Sequence, residues 1–534
     1  MSYSQTWLEN PASIRVVLVV ATAYNLTTSQ EVSFYFSNGG YRTTDGYEFD
    51  PVISKDVGLQ ESLSLDGSTS MSFGDIELYN NNGEYDDLLN TTKYLWTNKS
   101  IKIYFGDPGW QTTLVGIDTT FLKIFDGIID DIDSRDVAVI NLKIRDKLEK
   151  LNAPISENKI DTYGTWGNNG GQQNKDQLRP IVFGECFNVA PILIDPAQLE
   201  YCFSCSNPTQ DTLPGFSNNG ASEKLTEIRD NGVPIYIEGN ATYAGATVNL
   251  NNSTFKLLKT PAGAITCTIQ GVKKSMDSAG LIQNTYSNTI PSVIGTIVRT
   301  FGKAPSRFAE TEIDLPTFNN FNQTAEVGVF INQTENLLDV CREIAASVGG
   351  QIIMSRTGKL RLIQYGVPLP ITVAPSIDIT PDDILFDSLS VSNRLPVVGV
   401  VKLGYGKNYT VQPGLLSAIP EAHKENFAKD WYTVTVKDDA VLAAHNLEKD
   451  VPQKEVALIS EFDVTTEATR LLNYYKTQKI VYRFTGVAKL LNVVLGQRVV
   501  LYHHRFGLST GKVGQVVYVA PNWSKDQVDI EVIV

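Results

Sequence analysis

The chain is poor in the side chains that usually carry out chemistry. It has four histidines and five cysteines in 534 residues. The histidines (His423, His445, His503 and His504) show no HExxH spacing and no neighbouring carboxylate motif, which leaves hydrolytic metal chemistry without support. No GxSxG, P-loop or nucleotide-binding GxGxxG stands in the context it needs. Positive charge is also scarce: 45 Lys and Arg face 59 Asp and Glu, for a net charge of −14 and a pI near 4.9. Without a basic cluster, a sequence-specific nucleic-acid binder is not expected. Acidity of this kind ordinarily serves solubility, and it would equally suit a wall past which DNA slides, because like charges repel phosphates.

Long apolar runs are missing too. The longest near the N-terminus, 14–23, contains Arg15 and is too short to cross a bilayer, and it lacks signal-peptide flanks. The expectation is a strand there, no direct membrane insertion, and folding in a cytosol. The five cysteines (Cys186, Cys202, Cys205, Cys267 and Cys341) are odd in number and scattered, unlike a disulfide framework.

What the chain does have is 40 Gly, 23 Pro, 23 Tyr and 22 Phe, a composition of turns and strands. Its 42% hydrophobic and 19% charged content is that of a globular protein. At about 150 residues per domain the length predicts roughly three or four domains. The predicted fold class is β-rich α+β and multidomain.

Short alternating or apolar runs at 16–20, 32–36, 101–105 and 121–125 predict strands in residues 1–150, separated by turn signals such as Asn38-Gly39-Gly40 and Asn82-Gly83. Residues 125–144 predict two strands joined by a polar turn at 133–136, followed by a charged helical turn at 145–151. A closed or nearly closed antiparallel barrel is the natural solution for such a segment. The Gly/Asn/Gln-rich stretch within 155–177 marks a boundary, and 151–330 reads as a second, strand-heavy α+β domain. Helices are predicted at 292–300 and at 334–348, the latter capped by Thr334 with Leu337, Leu338, Cys341, Ile344, Ala345 and Val348 on one face. Gly349-Gly350 ends it, and a hairpin follows (351–354 and 360–364). Residues 397–403 predict a strand. The stretch 405–477 reads as an inserted subdomain with a strand at 431–436, a helix at 439–446 and a last helix near 467–477. The terminal strands (498–502, 514–519 and 527–534) predict a C-terminus tied into a sheet.

Four groups of residues need weighing as chemistry. Cys202-Phe203-Ser204-Cys205 is a CxxC, but zinc needs about two further ligands and only the isolated Cys186 and Cys267 are available. A four-thiolate cluster of these cysteines competes with the more ordinary role of buried free Cys as a small hydrophobe. Asp126, Asp130, Asp131 and Asp133 lie close together; Asp131 and Asp133 would share one face of a strand, as a cation site or glycosidase pair requires, or simply form a solvated face. Gly404-Tyr405-Gly406 follows a strand but precedes no helix start, so phosphate cradling is not expected. His503-His504 reads as a solvated strand end. No catalytic residue, cofactor or metal ligand is assigned, and the chain is not expected to be an enzyme.

An ordered set of motifs carries a family resemblance. It comprises Phe36-Ser37-Asn38-Gly39-Gly40-Tyr41, Tyr47-Glu48-Phe49-Asp50-Pro51-Val52-Ile53, Phe125-Asp126-Gly127-Ile128-Ile129 and Arg179-Pro180-Ile181-Val182-Phe183-Gly184 with Asn188-Val189-Ala190-Pro191. Asp230-Asn231-Gly232-Val233-Pro234 follows, then the helix and hairpin at 335–362 with Gly349-Gly350 and Gly358-Lys359-Leu360, and finally Leu495-Gly496 with the terminal hairpin. This set resembles baseplate hub proteins of long non-contractile-tailed bacteriophages over most of the chain, excepting 155–177 and the 405–460 insertion. The resemblance implies a homotrimer at the virion tail tip, assembled in the host cytoplasm. Each subunit would give two related β-barrels to a pseudo-sixfold ring: residues 1–150, and 331–404 joined with 478–534. One ring face would meet the tail-tube end and distal tail proteins and the other a central fibre or spike. The lumen would lodge the tape-measure C-terminus and pass DNA without specific binding. Two other functions compete. A tail-associated cell-wall hydrolase would lose turnover on substituting Asp126 or Asp131. A host-glycan adhesin would use Trp110, Trp166 and Trp431 as exposed anchors.

Overall fold

Runs such as Val16–Asn25 (VVLVVATAYN) are β-branched on both faces, and a strand buried on both faces is what they form. The computed structural model describes residues 3–10, 12–55, 57–64, 73–160, 174, 176–204, 221–322, 324–415, 419 and 421–534. The chain divides into two units. Unit 1 is Met1–Glu149, Gln351–Leu395 and Lys479–Val534; unit 2 is Lys150–Gly350 and Pro396–Gln478. Among the described residues no helix is long and apolar enough to cross a membrane.

Unit 1 is dominated by one sheet of sixteen strands. Its N-terminal half runs through Gly58–Ser62, Phe73–Tyr79, Val139–Arg145, Leu122–Asp136, Lys99–Gly106, Val16–Asn25 and Gln30–Ser37 to Glu48–Pro51 and Tyr41–Arg42. Its C-terminal half runs through Lys512–Asn522, Gln527–Ile533 and Ile480–Val487 to Ser390–Arg394. The halves join where Gly58–Ser62 pairs antiparallel with Lys512–Asn522, in the register Tyr518↔Ser62 and Val519↔Glu61. The strands expected in the first barrel and the terminal strands expected in the second therefore share one sheet, whose order runs open rather than closing on itself, while the hairpin Gly350–Met354 and Leu360–Gln364 forms a two-stranded sheet of its own. The physical reason is edge satisfaction: each half gives an edge strand to the other, so its backbone groups pair across the seam.

Local expectations differ from the structure at particular points. The polar turn expected at 133–136 is strand: Leu122–Asp136 runs through it and turns only at Val137-Ala138 before Val139–Arg145. Asp131 and Asp133 are held in the ladder by their pairing with Lys143 and Asn141. The strand Val400–Tyr405 pairs with Tyr432–Lys437 and Lys454–Glu455 in unit 2, not with the terminal strands. The helix expected from Thr334 starts at Leu337 and ends at Ala346. Its cap is Asn336, whose side-chain oxygen accepts from the Leu338 amide at 2.9 Å while its Nδ2 donates to Asn152 at 2.7 Å. The predicted apolar face is buried as read, and Val340 is buried beside it.

Unit 2 holds a five-stranded sheet (Val233–Ile237, Ser222–Asp230, Ile265–Val272, Ile181–Val189, Gly328–Ile331). Phe203, Leu225, Ile228, Phe255, Cys267 and Ile269 pack into one core there. The glycine ending the Arg179–Gly184 motif is required sterically. Gly184 has φ +66° and faces Gly328 across the ladder, and a Cβ would lie 1.7 Å from the Val327 carbonyl oxygen. The helices predicted at 439–446 and near 467–477 are Asp439–His445 and Glu461–Tyr475.

Candidate functional site

Two of the motifs that carry the resemblance meet in unit 1. The hairpin Gly350–Met354 and Leu360–Gln364 turns through Ser355–Gly358, with the Ser355 amide donating to the Lys359 carbonyl at 2.8 Å. Gly358 has φ +74°, and a Cβ there would lie 2.8 Å from the Asp126 carbonyl oxygen. The Asp126 amide donates to the Arg356 carbonyl at 2.8 Å, so the Phe125-Asp126-Gly127 segment is the seat of the hairpin turn.

Arg356 is the centre of this junction. It is 9% exposed and its guanidinium donates to the carbonyls of Leu491 (3.1 Å) and Val493 (2.7 Å). Its Nε lies 3.5 Å from the Glu61 carboxylate, itself 6% exposed, and the guanidinium sits 5.9 Å from the centre of the Trp523 ring. Burial pushes the Glu61 carboxyl up, and the charges of Arg356 and Arg361 oppose that. Burial likewise pushes Arg356 down against the pull of Glu61. Burial thus weighs against both charges, and the geometry of the pair holds them. Three stretches of chain (1–149, 351–395 and 479–534) converge on this one side chain. In the sequence its only signal is a lone Arg in a polar turn.

The carboxylates weighed as catalytic are spent on ion pairs. Asp126 is 8% exposed, with Lys147 at 2.7 Å and Lys123 at 3.4 Å. Asp133 and Asp131 share Lys143 at 2.6 and 3.7 Å, and Asp130 meets Arg145 at 3.1 Å. The hydrogen bond that Lys143 donates to Asp133 raises the lysine above its ordinary range. The two strands place acids and bases in register, so the acidic run reads as one side of a cross-strand charge ladder.

The described cysteines serve as buried packing residues. Cys186 and Cys267 are buried in the unit 2 core and Cys202 lies with Ile160 and Ile194. Cys341 is on the Leu337–Ala346 helix, and Cys205 lies outside the described residues. Among the described residues no group of three His, Cys, Asp or Glu could hold a metal ion. Burial raises the Cys186, Cys267 and Cys341 thiols. These three are expected to resist a thiol reagent in the native protein and to react only on unfolding. Fast native labelling at any of them, mapped by peptide mass spectrometry, would contradict their burial.

His503 and His504 stack on each other at 4.2 Å just after the Arg498–Leu501 strand, and burial, then His504 and Arg505, push His503 down. His423 and His445 are exposed on helices. Gly404 is a packing position, where a Cβ would lie 2.2 Å from the Gln453 amide. Of the three tryptophans considered as anchors, Trp110 is 5% exposed and Trp431 half-buried under Lys407 at 5.4 Å; Trp166 lies outside the described residues.

No family model matches the sequence, and no curated protein matches it. The structural neighbours are phage tail proteins and a related secretion component. The 43 kDa tail protein of prophage MuSo2 from Shewanella oneidensis is 9% identical with a TM-score of 0.36, covering 97% of this chain and 98% of that one. The tail protein from Neisseria meningitidis MC58 is 9% identical with a TM-score of 0.37, covering 97% and 96%. The E. coli c3393 protein is described as a type VI secretion component structurally similar to T4 tail proteins gp27 and gp5. It is 7% identical with a TM-score of 0.31, covering 90% and 73%. At these scores and identities the likenesses assign no activity or partner to this chain.

Proposed function

We propose that this chain is a structural subunit of a phage tail, and specifically the baseplate hub at the tail tip. Three copies form a ring that joins the tail tube to a central fibre or spike and leaves a bore for DNA. The two halves of the unit 1 sheet are the counterparts of the two hub barrels. The observation that carries this reading is the Asp126–Arg356 junction. There the motifs behind the resemblance do structural work: they hold three distant stretches of chain in one sheet. The acids that would serve a hydrolase are engaged by Lys and Arg in the same region.

Among the described residues the sheet ends on Ser390–Arg394, which has a neighbour on one side only in the strand order. An unpaired edge is a template for another chain. Just before it Phe386 is 99% exposed. An exposed aromatic beside an open edge supports a subunit contact there. Substituting Phe386→Asp is expected to leave the melting temperature within about 1 °C, since the side chain buries nothing. It is also expected to weaken self-association at least tenfold by analytical ultracentrifugation. A variant that assembles like wild type would remove this edge from the interface.

Electron microscopy of tails tests the larger reading. A threefold ring of this chain at the tip is expected; a monomer absent from particles would sink it.

A further inference from the structure

The turn that joins Arg498–Leu501 to Lys512–Asn522 in unit 1 is held by a histidine nitrogen. His503 Nδ1 accepts the Arg505 backbone N–H at 3.2 Å. A backbone N–H can only donate, so Nδ1 carries no proton while this bond stands. The His503 amide donates to the Leu508 carbonyl and the Leu508 amide to the Arg505 carbonyl, both at 3.2 Å, and Leu508 is buried. Between these bonds the backbone is strained. Phe506 sits at φ +58°, a left-handed conformation that a bulky side chain avoids unless its surroundings hold it there. What holds it is the His503 bond on one side and the buried Tyr482 on the other, whose hydroxyl donates to the Phe506 carbonyl at 3.4 Å.

The same turn lies against the open edge of the sheet. Arg505 Nη1 is 3.8 Å from Asp387 Oδ1, one residue after the exposed Phe386. Tyr482 pairs with Val391 on the edge strand Ser390–Arg394. Phe506 is itself exposed, so two neighbouring segments each present an aromatic side chain to solvent.

The surroundings of His503 disfavour a proton. Burial comes first, and His504, stacked on it at 4.2 Å, and Arg505 then push the imidazole below its ordinary value. The elements packed about the turn bring Arg394 near Tyr482, Lys512 opposite Leu501 and Asp378 opposite Val500. Asp387 is taken by Arg505, and no carboxylate among the described residues is paired with His503. An open turn takes up the proton near the ordinary imidazole value of about 6.5, the closed turn only at lower pH. The closed turn therefore has its full advantage above that value. It loses this advantage as the pH falls from there towards the closed turn's own value.

We propose that His503 is an acid-sensitive clasp on the edge that receives a neighbouring subunit. At neutral pH its bare Nδ1 holds the turn closed. A solvent proton taken on that lone pair breaks the Arg505 bond, lets Phe506 relax and loosens the contact between copies. The assembly half rests on the edge contact proposed above; the clasp itself does not.

The test uses the full chain at about pH 7.5 and about pH 5.5, on either side of the imidazole range. Nitrogen NMR of isotope-labelled histidine, hydrogen exchange and analytical ultracentrifugation are the readouts. The diagnostic variant is His503→Asn. An Asn side-chain oxygen accepts the amide two residues on without titrating, as Asn90 does for Thr92 at 3.0 Å. A bare His503 Nδ1 is expected at the higher pH. At the lower pH the exchange protection of residues 503–511 should fall about threefold to tenfold, the worth of one hydrogen bond. Self-association should weaken by about the same factor. His503→Asn should hold both constant, with circular dichroism showing it folded. A protonated Nδ1 at the higher pH, or an equal loss of protection in His503→Asn, would overturn the clasp. Protection lost while association stays constant would overturn its link to assembly. A wild-type chain that is monomeric at both values would instead strike the edge contact, with the exchange data still deciding the clasp.

Discussion

Deleting Gln527–Val534 is expected to leave unit 1 unfolded and to abolish any assembly that depends on it. Gln527–Ile533 is an interior strand, paired on one side with Ile480–Val487 and on the other with Lys512–Asn522. Val528, Ile530, Val532 and Ile533 are each no more than 2% exposed. Val534 continues the ladder with reciprocal backbone bonds to Ile480 at 3.0 and 3.2 Å. Burying four such aliphatic side chains contributes about 6–12 kcal/mol at about 1.5–3 each. That is comparable with the whole stability of a domain, about 5–15 kcal/mol. The loss also leaves two long strands with open inner edges, so aggregation should accompany unfolding. Circular dichroism and limited proteolysis check this. A truncated chain with the wild-type melting temperature would show that the strand is not interior.

Replacing Arg356 with Ala should be the most destabilising single substitution at the junction. It leaves the Glu61 carboxyl buried beside a hole, and it removes the donors to the Leu491 and Val493 carbonyls. Breaking a buried pair by removing one partner costs about 3–5 kcal/mol, because the remaining charge is uncompensated. For a unit of this size that corresponds to a drop of about 10 °C in melting temperature. The double substitution Arg356→Ala with Glu61→Gln should recover part of the loss, since the stranded charge is gone while the two carbonyls stay unpaired. If the single variant melts within a degree or two of wild type, the pair is solvated and the junction is not what holds the hairpin turn on Asp126.

The junction also shows how far a sequence can be read. The hairpin 351–354 and 360–364 was legible because alternation, a turn-forming Gly358 and a preceding amphipathic helix are all local signals. Leu337, Cys341 and Ile344 were legible as one buried face for the same reason. The helix cap was misplaced by two residues because Thr334 and Asn336 are both good caps. The choice fell to Asn336, whose amide also reaches Asn152. Residues 133–136 looked like a turn because acids cluster in turns; the pairing of Asp133 with Asn141 and its ion pair with Lys143 on the next strand make it strand instead.

By itself the sequence determined that the protein is β-rich. It also determined where the strongly periodic strands and helices lie and which glycines mark turns, because these follow from side-chain period and backbone sterics within a few residues. It carried the family resemblance as well, through motifs that are each a short run of residues. Only the tertiary structure decided that both halves share one sheet, that Val400–Tyr405 belongs to the other unit, and that Arg356, Glu61 and Trp523 come together. The reason is that strand pairing is a contact between distant residues. Tyr518 and Gln60 approach across 458 positions of sequence. Any edge strand offers the same backbone donors and acceptors, so no local pattern names its partner.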